Sequence, residues 1–364
     1  MVFISPKPYL EKVWRMPHPS STRQGLELMD RNERTVDFPP QVVEELRQRI
    51  TPFLLRAYPE PGVLYDRLAA WLGVPREMLL LTMAADGGLK ALFEVFVEPG
   101  DEVISVSPSY LMYPIYCGMA GAVSQDVPFD DDLSLPIERI LERITDKTKL
   151  VVLANPNQPV ERVYDDAEST ALLDACERHN ALLVMDEAYH HFCPHTALHR
   201  LKDYGNLVVI RTFSKAFGIA GVRLGYAVSR PENIAHLSRV RLIYEVHALA
   251  IAIGLYLLEH DELMTAYVTE TKETMAWLVG AFRNLGFPAS GRWSNAILVP
   301  VPADRPVKEL AEALKRRGFL IRAETKAPLP NHLRITVGPR DQAERFFAAF
   351  EAVLEERKGH EVVR

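Results

Sequence analysis

Three short apolar runs, each ending abruptly in polar residues, constrain this chain more than any other feature. They are Leu150-Val151-Val152-Leu153 before Ala154-Asn155-Pro156-Asn157, Leu182-Leu183-Val184-Met185 before Asp186-Glu187-Ala188-Tyr189, and Leu207-Val208-Val209-Ile210 before Arg211-Thr212-Phe213-Ser214-Lys215. Runs of this length read as strands buried on both faces of a parallel sheet. Polar groups that follow such strands gather at the carboxyl edge of the sheet, where open α/β folds bind ligands. Helical stretches alternate with the strands. Val42 to Ile50 and Leu64 to Leu72 read as amphipathic helices, Leu89, Leu92 and Phe93 belong to another, and Glu102 to Val106 is a strand after the turn Pro99-Gly100-Asp101. The apolar content from Ile234 through Leu258 predicts long helices. Beyond a boundary at Phe287-Pro288-Ala289-Ser290-Gly291, the pattern predicts a strand at Ala296 to Val299, a helix at Val307 to Arg317, a strand at Phe319 to Arg322 and a terminal helix after Asp341.

The polar ends carry chemistry. Lys215 leaves a buried strand beside Thr212 and Ser214, with Arg223 a short way on. An amine that attacks a carbonyl works best partly desolvated and close to other cations. A phosphate and a neighbouring arginine in the same place suit pyridoxal phosphate. Asp186, set against a pyridine nitrogen, would keep that nitrogen protonated and let the ring accept electrons; its alternative reading is a helix cap after a strand. Asn157 and Tyr189 each have a group able to bond the ring's phenolic oxygen.

In combination, these residues resemble the fold-type I, pyridoxal-phosphate-dependent aminotransferases of class I and II, and within them the histidinol-phosphate aminotransferase group. The likeness begins at Leu28-Met29-Asp30-Arg31-Asn32-Glu33, continues through Arg56-Ala57-Tyr58-Pro59-Glu60, and ends at Leu333-Arg334-Ile335-Thr336-Val337-Gly338. It implies an α/β fold: a large domain with a mainly parallel sheet flanked by helices, residues 41–286, and a smaller α+β domain built from both chain ends, residues 1–40 and 287–364. By resemblance Lys215 holds pyridoxal 5'-phosphate covalently, Asp186 pairs with its ring nitrogen, Asn157 and Tyr189 bind the phenolic oxygen, and Tyr110 stacks on the ring. Thr212, Ser214, Arg223 and the amides of Ala85-Asp86-Gly87 would hold the phosphate, the last at a helix start. Arg334 would take a substrate carboxylate, since arginine offers a planar, permanently charged fork. Asn32 would support the same carboxylate, Arg322 would hold a substrate phosphate, and Tyr244 also falls at a family position. Tyr58 would reach the active site of the partner in a homodimer.

At 364 residues and 48% hydrophobic content, the chain is long enough for a large core and two domains. A net charge of −6 provides no basic field for nucleic acid. Cys117, Cys176 and Cys193 lack metal-like spacing and suggest a reducing compartment. No signal or membrane-spanning segment is expected, so the sequence reads as soluble and cytoplasmic. The adjacent His190 and His191 diverge on any regular element and do not make a metal site alone.

Several positions depart from the family pattern. Ala154 is followed by Asn155-Pro156-Asn157-Gln158-Pro159-Val160-Glu161, without the usual turn glycine; Ala84-Ala85-Asp86-Gly87 lacks an acid at its end; Arg34-Thr35 follow Asn32-Glu33 where the family has asparagine and proline, and His247 stands where asparagine is frequent. These changes are expected on the rim that sees the substrate. The implied activity is transamination between an amino acid, glutamate by resemblance, and a small, phosphorylated or polar amine. An amino-acid-phosphate decarboxylase of the same fold is the alternative, and a non-catalytic homologue a third.

Overall fold

The structure is a computed structural model that describes residues 4–15 and 23–361, with side chains described as far as residue 356. Residues 1–3, 16–22 and 362–364, which the sequence assigns to the smaller domain, lie outside the described residues. The strands in chain order are β1 (Glu27–Met29), β2 (Leu79–Met83), β3 (Glu102–Ser107), β4 (Val123–Pro128), β5 (Thr148–Ala154), β6 (Leu182–Asp186), β7 (Leu207–Thr212), β8 (Leu224–Ser229), β9 (Ala296–Pro300), β10 (Phe319–Glu324) and β11 (His332–Thr336).

Seven of them form one sheet in the order β2-β8-β7-β6-β5-β3-β4. Only β8 runs against its neighbours. The uniformly apolar runs are explained by two cores, one on each face. Leu150, Val152, Leu182, Val184, Val208 and Ile210 enter one core, while Val151, Leu153, Leu183, Met185, Leu207 and Val209 enter the other. Alternate residues of a strand point to opposite faces, so a strand covered on both sides needs an apolar residue at every position.

The remaining strands form a second sheet, β1-β10-β11-β9. Phe319, Ile321, Leu333 and Ile335 pack into its own core with Phe346 and Phe350 of the terminal helix Arg340–Glu361. The helix Glu262–Asn284 ties the two bodies together. Its Met264, Tyr267 and Val268 belong to the first core, and its Met275, Leu278 and Phe282 to the second.

The expected long helices between Ile234 and Leu258 are instead two, Pro231–Leu237 and Ala248–Glu259. The reason lies in the intervening segment: Leu242 and Ile243 are 66% and 78% exposed, so their apolar character does not come from a buried helical face. His247 then starts the second helix, its Nδ1 accepting from the Ala250 amide at 3.1 Å while Nε2 donates to the Val222 carbonyl at 2.9 Å. The helices Pro40–Gln48, Gly62–Leu72, Ala84–Phe96 and Val307–Arg316 fall close to their expected places.

One close approach shapes the site. The start of β8 runs against the turn that opens the helix Ala84–Phe96, where the Ala84 amide donates to the Arg223 carbonyl at 3.1 Å. A Cβ at Gly225 would lie 2.7 Å from the Ala85 nitrogen, so only glycine fits. Gly225→Ala should therefore cost about 1–3 kcal/mol through overpacking, read as a lower Tm. An unchanged Tm would show that the turn and β8 separate freely.

Candidate active site

Strands β2, β3, β5, β6 and β7 all point the same way, and β8 begins where they end. The topology thus brings Ala85-Asp86-Gly87, Tyr110, Asn157, Asp186 with Tyr189, Thr212 with Ser214 and Lys215, and Arg223 to one edge of the sheet. Sequence separation is no obstacle, because each follows or precedes a paired strand.

Asp186 is the last residue of β6 and only 5% exposed. Its Oδ2 accepts from the Tyr113 hydroxyl at 2.9 Å and Oδ1 from the Ala188 amide at 3.1 Å. It has no ion-pair partner among the described residues. Burial pushes its carboxyl up to about 6, against the lowering effect of those two hydrogen bonds; the Asp86 charge adds to the rise and Lys215 opposes it. The adjacent Glu187 differs. Its side chain turns to the other side of the strand and pairs with buried Arg211, at 2.8 and 3.0 Å. The chain therefore leaves one of two neighbouring carboxylates without a cation.

Across the edge, Asp86 is a shared acceptor. Tyr110 donates to its Oδ1 at 2.6 Å and Arg223 to its Oδ2 at 2.8 Å. Tyr110, expected to lie over a ring, has its own ring edge-on to Tyr113, with centroids 5.6 Å apart. Burial, then the Asp86 charge, pushes the Tyr110 hydroxyl far above its usual range. Thr212 donates to Ser214 Oγ at 2.9 Å, and the Ser214 amide to Thr212 Oγ1 at 3.1 Å. Glu245 accepts from the Met83 amide at 3.3 Å beside the same helix start, and burial raises its carboxyl.

Lys215 donates to the Arg31 carbonyl at 3.2 Å, and its Nζ stands 5.6 Å from the centre of the Tyr189 ring. The Tyr189 hydroxyl accepts from Asn32 Nδ2 at 2.9 Å and keeps its own proton to donate. Asn157 is placed differently from the expectation. Both of its amide hydrogens go to the Pro108 and Val160 carbonyls, at 3.0 and 2.9 Å, and its Oδ1 accepts from Ser109 at 2.5 Å. It braces two turns of the edge and has no donor left for a ring oxygen.

The second sheet closes the site from above. Asn32, in the left-handed region at φ 55°, donates through its amide to Thr336 Oγ1 at 2.9 Å, and Asn295 donates to the Asn32 carbonyl at 3.1 Å. Asn32 is thus held by β11 and reaches Tyr189 on the first sheet. Arg334, directly opposite Arg322 in the β10–β11 ladder, donates to the Asp30 carbonyl at 3.3 Å. Tyr58 and Tyr244 stack on one another within the chain, centroids 4.2 Å apart.

Three departures from the family pattern do not line the substrate rim. Arg34 lies between the rings of Phe38 and Tyr267, 4.5 and 4.4 Å from their centres, and burial lowers its pKa. A Cβ at Gly218 would meet Arg34 Cδ at 2.7 Å, so Arg34 seats the Asn32 segment on the loop that carries Lys215. His247 is a helix cap. Glu161 accepts from the Arg292 and Trp293 amides at 2.8 and 3.0 Å and from Ser294 Oγ at 2.9 Å, strapping the β5 turn to the segment before β9. Half-buried His191 packs against Trp71 and Phe217 and half-buried His190 against His191, and desolvation pushes both down to about 3. Among the described residues no three His, Cys, Asp or Glu are grouped to hold a metal, and no helix is long and apolar enough to cross a membrane.

Sequence reasoning did not single out Tyr113, Ser109 or Glu324. Tyr113 had only a weak signal, an aromatic in the first turn of the helix Met112–Ala120, just past Tyr110. Glu324 follows Arg322 by two on a strand, which places both on one face.

The family model "Aminotransferase class I and II" matches residues 25–350, and the chain belongs to that family. It is 35% identical over 332 residues to a histidinol-phosphate aminotransferase of Symbiobacterium thermophilum, covering 90% of each protein. It is 33% identical over 306 residues to that of an Anaeromyxobacter species, covering 82% of this chain and 83% of the relative. Among solved structures, histidinol-phosphate aminotransferase from Sinorhizobium meliloti in complex with pyridoxal-5'-phosphate shares the fold with a TM-score of 0.84 at 23% identity, over 98% of this chain and 99% of that one. L-threonine-O-3-phosphate decarboxylase from Porphyromonas gingivalis shares it with a TM-score of 0.77 at 23% identity, over 90% and 99%.

The raised Asp186 carboxyl has a consequence for the protein without cofactor. The folded state keeps this proton while the unfolded state releases it near 3.8, so the group's contribution to stability falls as pH rises from about 3.8 to about 6. Unfolding free energies of cofactor-free wild type and Asp186→Asn, compared across this window, should shift progressively in favour of the variant. A difference independent of pH would contradict the assignment.

Proposed function

We propose that the chain is a pyridoxal-phosphate-dependent aminotransferase that moves an amino group between glutamate and a small phosphorylated amine of the histidinol phosphate type. The observation that carries this reading is Asp186, a buried carboxylate without a cation among the described residues, on the same edge as the Lys215 amine. The residues present fit the cofactor. A protonated ring nitrogen supplies the cation that Asp186 lacks, Thr212, Ser214, Arg223 and the amides of Ala85-Asp86-Gly87 offer donors for a phosphate, and Tyr189 has a proton for the phenolic oxygen. The hydroxyl of Tyr110 anchors Asp86 at the edge of this cup, and Asn157 shapes its floor through Pro108 and Val160. When bound, pyridoxal phosphate supplies a ring that accepts the electrons released at the substrate α-carbon.

The chain's own groups then have separable tasks. Lys215 Nζ would hold the cofactor and, as a free amine, would take the proton from the substrate α-carbon. Asp186 holds the ring-nitrogen proton throughout. Arg334, supported by Asn32, binds the glutamate carboxylate, and Arg322 binds the phosphate of the other substrate, with Tyr244 at the rim. Residues 41–286 form the domain that carries the cofactor, and 1–40 with 287–364 the domain that carries the arginines.

The reading includes a homodimer acting in the cytoplasm. Phe53, Leu55, Tyr58, Leu242 and Ile243 are exposed apolar side chains, and the Tyr58–Tyr244 stack joins their two segments into one patch. Such a patch supports an interface that puts Tyr58 next to a partner's site. The three cysteines are buried and unpaired, in keeping with a reducing compartment.

The test is turnover of histidinol phosphate with 2-oxoglutarate, following glutamate and any carbon dioxide. Glutamate should form one for one with the oxidised product, with no carbon dioxide from an amino-acid phosphate. Arg322→Ala should raise KM for the phosphorylated amine about tenfold or more and barely change KM for glutamate, because a hydrogen bond to a charged group contributes about 1.5–3 kcal/mol. Arg334→Ala should chiefly impair glutamate. Equal losses for phosphorylated and unphosphorylated amines in Arg322→Ala would remove the phosphate from its task.

A further inference from the structure

We propose that Glu324 is a specificity-determining residue, a built-in carboxylate that competes with incoming anions for Arg322 and Arg334 and disfavours doubly charged ones. The inference rests on the reading that these arginines hold substrate anions. It begins with the ladder. Arg322 and Arg334 are directly opposite across β10 and β11. They lie on the sheet face away from Phe319, Ile321, Leu333 and Ile335, which fill the core beneath the helices. Like charges placed directly opposite repel. Glu324 is two residues along β10 on that same face, and its Oε1 stands 3.4 Å from Arg322 Nε and 3.8 Å from Arg334 Nε.

Other carboxylates nearby are committed elsewhere. Asp30 and Glu33 are bound by Arg23, and Asp30 also meets Arg31. Glu324 is therefore the one carboxylate paired with both arginines among the described residues. The Arg334 Nε is buried and makes no hydrogen bond, so the guanidinium has a donor facing a carboxylate that sits just too far to accept it. An anion entering between the arginines finds donors available and a negative charge already there. With Glu324 ionised the three groups sum to a single positive charge, which matches a carboxylate. A phosphate dianion overfills it and must displace or repel Glu324.

Calorimetric titration of the holoenzyme with inorganic phosphate, and separately with acetate, tests this whatever the natural substrate is. Glu324→Gln should bind phosphate about three- to tenfold more tightly, the scale of one partly exposed ion pair, with a smaller gain for acetate. Glu324→Asp keeps the charge but draws it back from both arginines by one methylene, and should fall between wild type and Glu324→Gln. Adding Arg322→Ala to Glu324→Gln should abolish the gain. In steady state, the Gln variant should lower KM for histidinol phosphate and leave kcat unchanged. Unchanged or weaker phosphate binding in Glu324→Gln overturns the inference. Tighter phosphate binding with no turnover of histidinol phosphate by wild type would leave it standing and overturn the proposed substrate instead.

Discussion

Burying the Asp186 carboxylate at the end of β6, with one tyrosine hydroxyl and one backbone amide as donors, removes an anion from water without giving it a cation. Such burial is costly, and the shift of its carboxyl to about 6 is the visible sign of that cost. The neighbouring Glu187 shows the alternative, since it is as deeply buried and fully paired with Arg211. A ligand with a protonated nitrogen would relieve the strain at Asp186. The site is thus specified first by an electrostatic deficit and then by what surrounds it.

The surroundings come from two sheets that must keep their relation. The helix Glu262–Asn284 spans both cores, Glu161 ties the β5 turn to the segment before β9, and Asn32 joins Thr336 to Tyr189. These contacts bring the segment that carries Arg31 and Asn32 against the sheet edge that carries Lys215 and Tyr189. Arg34 packs against Gly218, so the segment bearing Asn32 lies in direct contact with the loop bearing Lys215. The fold couples the two sheets through the shared helix and a few polar contacts.

Much of this was legible in sequence for a physical reason. Strands covered on both faces are apolar at every position, so β5, β6 and β7 announced themselves, and the polar residues that end them had to meet at one edge. What was not legible depended on partners distant in sequence. Arg34 reads as a rim charge until Phe38 and Tyr267 are seen to sandwich it, and His247 reads as a substrate contact until it is seen capping a helix. Asn157 carries two donors in any sequence reading, but only the fold shows that Pro108 and Val160 take both. The segment between Leu237 and Ala248 misled for the opposite reason, since its apolar residues are exposed instead of buried.

The central claim is that Lys215 is the covalent anchor of a cofactor seated against Asp186. The most direct measurement is borohydride reduction of the protein reconstituted with pyridoxal phosphate, followed by proteolysis and mass mapping of the modified peptide. The account requires a single pyridoxyl adduct, on Lys215, in the peptide that follows β7. An adduct on another lysine, or none in protein that binds the cofactor, would contradict it.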